Sequence, residues 1–254
     1  MNQFYNCFRT ELLKTKRTLS FSGAIIIPTV ITGVNFLTFV VYREDFAKAG
    51  ANLWIALAGN IFSAFALLFL PMYVGMVGYS TNHIEHQADA WKNLFALPLK
   101  RSTIYLSKLC MVLLQVITCV TLLYALTLLS GQILGMLYPE LGFQNYDSTV
   151  LILVTIVKFT LASLGTLAIQ YVVSIYWSDF IKPMGAALIG LVVGILLAKW
   201  KFAFLVPYSL CPRVMEQFQK ENLTIFNREV LSSVLWATGV FILGYWLILR
   251  KNVK

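Results

Sequence analysis

Ile84–Lys108 reads IEHQADAWKNLFALPLKRSTIYLSK. It is a polar break between two apolar runs, Leu53–Tyr79 and Leu109–Leu129, of 27 and 21 residues. A helix needs about 20 apolar residues to cross the hydrocarbon core of a bilayer. Both runs reach that length, so this stretch reads as the connection between two transmembrane helices.

The rest of the chain agrees. Of its 254 residues, 59% are hydrophobic and 12% charged, with a mean hydropathy of +0.75. Soluble domains carry about 25% charged residues. Leu19–Tyr42, Val150–Trp177 and Val230–Leu249 are further spans. A sixth, Met184–Val206, contains Lys199 and Lys201 near one end, where long side chains snorkel to the interface. The longest polar stretch, between the fifth and sixth spans, has roughly 25–30 residues, short of the ~40 at which domains fold unaided. The fold class is therefore an all-α integral membrane protein with six transmembrane helices, residues 1–254 forming one membrane domain. The first apolar run is 24 residues long, beyond the 7–15 of a cleavable signal core.

Six spans put both termini on one side. The segments on that side hold twelve Lys and Arg, the opposite segments seven. Cytoplasmic loops are enriched in these residues, so N-in and C-in is expected. The same rule accounts for the net charge of +9 without nucleic acid as a partner. Before the first span, Phe4, Phe8 and Leu12 recur at i, i+4, i+8, amid Arg9, Lys14, Lys16 and Arg17. This pattern predicts an interfacial helix on the inner surface.

Several chemistries lack their residues. There is no G-x-x-x-x-G-K-[ST] to cradle a nucleotide phosphate, and no H-E-x-x-H or G-x-S-x-G. His83, Glu85 and His86 with Asp89 make a weak metal pattern, better read as loop residues. No metal and no cofactor is expected on this chain. The four cysteines, Cys7, Cys110, Cys119 and Cys211, form no CxxC and imply no disulfide framework. Gly190–Gly194 and Gly131–Gly135 match the small-xxx-small spacing of close helix approach.

Within the polar break, Ala88, Trp91 and Phe95 fall at i, i+3, i+7, one face of a helix. Glu85, His86, Asp89, Lys92 and Asn93 fill its other face, and Pro98 ends it. A short helix tied to two spans fits two roles: it receives a push from a soluble partner, or it seals the loop at the interface.

The order Glu85, Trp91-Lys92, Leu94, Leu97-Pro98, Arg101, Tyr105 and Lys108 resembles the first cytoplasmic loop of type-2 ABC transporter permeases. With Glu11-Leu-Leu-Lys14 and Lys16-Arg17 ahead of the first span, the whole chain looks like the small six-span permease subunits of lantibiotic and bacteriocin immunity exporters. The resemblance implies a non-catalytic subunit of an ATP-driven exporter in the bacterial cytoplasmic membrane. It implies a homodimer or heterodimer with a second permease chain, and a separate ABC ATPase subunit that uses ATP and Mg. Glu85–Ala96 would be the coupling helix, with Glu85, Asp89, Trp91, Leu94, Pro98 and Arg101 coupling to the ATPase. The cargo would be an amphipathic or antimicrobial peptide moved out of the membrane lipid, as self-immunity. The outer stretch with Pro207, Cys211, Pro212, Met215 and Phe218 would hold short helices of an outer gate, or else a loop packed over the bundle.

Lys158, Gln115 and Gln170 are the candidates for a translocation path or subunit contact. For Lys158 the alternative is snorkelling at the outer interface; for the glutamines it is hydrogen bonding between helices. Pro28 and Pro71 are expected to kink their spans. Two other functional classes fit a polytopic chain: a membrane-embedded enzyme, which needs convergent ionisable groups at one depth, and a non-transporting sensor or scaffold.

Overall fold

The structure is a computed structural model that describes residues 3–48, 52–87, 99–177 and 179–250. Its elements are α1 (Gln3–Thr15), α2 (Leu19–Val41), α3 (Arg43–Lys48), α4 (Leu53–Ala64), α5 (Leu70–Gln87), α6 (Arg101–Leu137), α7 (Thr149–Tyr176), α8 (Ile181–Leu197), α9 (Leu210–Gln219) and α10 (Arg228–Arg250). Among the described residues there is no strand. Five rods are long and apolar enough to cross a membrane: Leu19–Val41, Leu53–His86, Arg101–Leu137, Thr149–Tyr176 and Arg228–Arg250. The sixth, α8, is a shorter apolar helix.

Two spans overrun their apolar limits. The second continues from Tyr79 to Gln87, and the third starts at Arg101 rather than Leu109. At about 1.5 Å per residue, the 37 residues of α6 reach about 55 Å, well beyond a hydrocarbon core of about 30 Å. The segment expected as the fifth span differs the other way. It ends at Leu197, not Val206, and Lys199 and Lys201 lie past its end.

α4 passes into α5 through a π-helical turn, Phe65–Phe69, in which the Leu70 N–H bonds to the Phe65 carbonyl. Pro71 follows directly. A proline removes one N–H and crowds the carbonyl four residues back, and one widened turn takes up that mismatch.

α10 lies along α7, α2 along α6, and α5 between α7 and α8. Where α7 meets α10, Ser233 Oγ donates to the Ala162 carbonyl and accepts from the Gly165 N–H, both at 2.9 Å. A Cβ on Gly165 would stand 3.3 Å from the Ser233 carbonyl. The other glycine pairs serve a different contact. Gly190 and Gly194 receive Tyr208, whose ring and carbonyl leave 2.5 and 2.4 Å for an added Cβ. Gly131 receives the Trp54 ring and Gly135 faces Phe143. The small-residue spacing here accepts residues packed from other segments.

At the end opposite the 88–98 connection, α9 lays Leu210, Val214, Met215 and Phe218 over α4 and α7. Phe218 and Phe159 both meet Phe62 edge-to-face, at 5.2 and 5.6 Å, an arrangement aromatic rings favour. This is a helix packed over the bundle. It buries Cys211, and burial pushes that thiol up to about 12.

Candidate functional site

The connection 88–98 joins α5 to α6 in the chain. Around its two roots the helices bury charge. Lys108 is 1% exposed, Glu85 2% and Glu11 4%. Lys108 Nζ donates to Glu85 Oε2 at 2.7 Å, to Glu11 Oε2 at 3.0 Å and to the Thr81 carbonyl at 2.9 Å, which occupies all three ammonium hydrogens. Lys14 Nζ reaches the remaining oxygens, Glu85 Oε1 at 3.0 Å and Glu11 Oε1 at 3.3 Å. Two carboxylates and two ammonium groups thus close a neutral ring. Buried ions persist only when matched and hydrogen-bonded in this way. Burial works against the Lys14 ammonium, but Glu11 and Glu85 outweigh it and hold its pKa above the ordinary 10.5.

This ring explains the overrun of both spans. Glu85 and Lys108 satisfy each other, so α5 and α6 stay packed beyond their apolar stretches. It also orients α1. The buried face of α1 carries Glu11 and Thr15, and Ser107 Oγ donates to Cys7 Sγ at 3.3 Å. The aromatic side, with Phe4 and Tyr5, is exposed. The amphipathic helix expected before the first span is present, with its polar face against α6.

Further bonds brace the roots. Asn82 Nδ2 donates to Ser174 Oγ at 2.7 Å, and His86 Nε2 meets the Ser174 carbonyl of α7 at 3.2 Å. Arg101 Nη1 donates to the Leu249 carbonyl of α10 at 2.7 Å, and Tyr105 Oη to the Phe241 carbonyl at 2.7 Å. Helices α1, α7 and α10 therefore all hold the ends of one connection.

Of the residues read as coupling positions, Asp89, Trp91, Leu94 and Pro98 lie outside the described residues. Glu85 belongs to α5, inside the ion ring, and not to a separate surface helix; Arg101 starts α6. Lys158 is 1% exposed, and its Nζ donates to the Asn222 carbonyl at 2.5 Å. It is enclosed and holds the segment between α9 and α10. Gln115 is buried in α6, and its side-chain amide has no hydrogen-bond partner among the described residues. Gln170 bridges helices: with its oxygen toward α8 and Tyr208, it accepts from the Tyr208 hydroxyl at 2.5 Å and the Ala187 N–H at 3.2 Å, while Nε2 donates to the Pro183 carbonyl at 3.2 Å. Each of the three has its own surroundings: the segment after α9 for Lys158, the interior of α6 for Gln115, and α8 with Tyr208 for Gln170. Among the described residues, no three His, Cys, Asp or Glu side chains come together to hold a metal ion.

The ring partners Glu11, Lys14 and Lys108 carry the site as much as Glu85 does. Their signal in the sequence is faint: a lysine just ahead of an apolar run, and acids in the flanking segments of a chain with only eleven. Their pairing depends on α1 folding back onto α6, which no local pattern encodes.

The family model described as ABC-2 family transporter protein matches residues 7–194, 188 of the 254 residues. The chain belongs to this family and is a multi-pass component of the cytoplasmic membrane. No curated protein and no solved structure matches it.

Proposed function

We propose that this chain is the permease subunit of an ATP-driven exporter, with six spans, both termini cytoplasmic, and residues 88–98 as the dock for a separate ABC ATPase. The bracing of both roots of that connection into α1, α7 and α10 carries the reading. A push on a free loop is dissipated, whereas a push on a loop clamped at both ends moves the helices that clamp it. Trp91 and Leu94 supply the apolar side of the dock, Asp89 and Lys92 its charge, and Glu85 anchors its first root. Two permease chains, identical or related, form the pathway. The cargo is an amphipathic or antimicrobial peptide removed from the membrane of the producing cell; this finer reading rests on the likeness to immunity permeases.

The test is reconstitution in vesicles with the cognate ATPase. The chain alone is expected to hydrolyse no ATP. The complex should export peptide with ATP, and Trp91→Ala should leave hydrolysis running while export falls at least tenfold. Full export by Trp91→Ala and by a Gly-Ser replacement of 88–98 would sink the docking role. Export without any ATPase would sink the ATP-driven reading.

A further inference from the structure

A cavity of about 680 Å³ opens between the α1–α2 junction, α5 and the start of α8. Its lining includes the polar Lys14, Arg17 and Ser80 and the apolar Leu19, Met76 and Phe180. This size is within the range of small-molecule sites. The cavity sits beside the ion ring but is chemically different. The ring, Lys14 included, is neutral; among the described residues the lining adds the cation Arg17 and no carboxylate.

The lining combines two chemistries. Arg17 is exposed and has no acid within ion-pair distance among the described residues. Asp179, next to Phe180, is taken by Lys182 at 2.7 Å. The guanidinium fork is therefore open to an anion, and it matches phosphate oxygens two at a time. The apolar part of the lining is open to its surroundings: Leu19 is 76% exposed and Phe180 48%. It is also stiff. Tyr79 meets Phe180 edge-on at 5.1 Å and stacks on His83 at 4.5 Å, and the Tyr79 hydroxyl bonds to His83 Nδ1 at 2.6 Å. Exposed apolar side chains at the foot of membrane helices face acyl chains, while basic residues at the same level face headgroups.

We propose that this cavity binds one anionic phospholipid, its phosphate on Arg17 with Lys14 behind it and its acyl chain along Leu19, Met76 and Phe180. Lys14 then links the lipid to the ring, because the same ammonium reaches Glu11 and Glu85. The inference leans on the proposed topology only for which leaflet supplies the lipid.

Native mass spectrometry of the purified full chain in detergent tests it without an ATPase, so its outcome is independent of transport. Phosphatidylglycerol is expected to bind more tightly than phosphatidylcholine. Arg17→Gln should weaken phosphatidylglycerol about fivefold, the value of one basic side chain at an anionic surface, and Arg17→Lys, which keeps the charge and loses the fork, should restore only part of it. Lys16→Gln, exposed and outside the cavity, should change binding less than twofold. Equal losses for Arg17→Gln and Lys16→Gln would show diffuse surface attraction and overturn the site. Displacement of phosphatidylglycerol by glycerol 3-phosphate at equal concentration would show a soluble phosphate ligand and overturn the lipid.

Discussion

Lys108 is the residue on which the loop-bearing end depends most. It is fully enclosed and answers two carboxylates. Removing one partner of a buried ion pair costs about 3–5 kcal/mol, because the other charge is left without compensation. Lys108→Met should therefore lower the melting midpoint in detergent by that much stability, and adding Glu85→Gln should recover part of it by removing one stranded charge. A double variant as unstable as the sum of the two single changes would mean that Lys108 and Glu85 do not act as a pair. Lys14 carries a pH consequence. Its pKa is raised on folding, so its contribution is fully present below the ordinary 10.5 and fades as pH rises through the folded value. The stability gap between the native chain and Lys14→Gln should stay constant from pH 6 to about 9 and shrink above about 10.5. Its size should stay near 1 kcal/mol, since Lys14 is partly exposed. Glu85 was legible as a notable charge in an apolar chain. Its burial was not, because the partners that neutralise it come from positions 11, 14 and 108.

At the scale of elements, hydrophobic run length located the spans and misjudged their ends. Apolar content marks where lipid can surround a helix, whereas hydrogen bonding and ion pairing decide how far it continues. That is why α5 and α6 outrun Tyr79 and Leu109. The helix expected as the fifth span ends early for the opposite reason: its apolar run passes Leu197, but the chain turns back so that Tyr208 packs onto Gly190 and Gly194. This contact makes a paired prediction. Gly190→Ala meets the Tyr208 ring and Gly194→Ala the Tyr208 carbonyl; each should cost about 1–3 kcal/mol of overpacking. Tyr208→Ala should relieve Gly190→Ala, because the obstructing ring is gone, and should not relieve Gly194→Ala, because the carbonyl stays. Proteolysis of the 198–209 segment reads both. Relief of both, or of neither, would place the contact elsewhere.

For the whole molecule, the charge pattern assigns a direction that the bundle does not contain. Single cysteines placed at Lys16 and Lys254 should be protected from a membrane-impermeant thiol reagent in intact cells, and one at Lys220 labelled, all in a background without the native cysteines. Reversed labelling would invert the topology and put residues 88–98 outside the cell. With that direction, the proposed account is a membrane domain worked from its cytoplasmic end by a separate ATPase. The most direct measurement is copurification of the cognate ATPase with the tagged permease, comparing the native chain with one whose 88–98 segment is replaced by Gly-Ser. The account predicts a stable complex with the native chain, and loss of the ATPase from the replaced chain while its melting midpoint in detergent is unchanged. An ATPase that copurifies equally with both would contradict it.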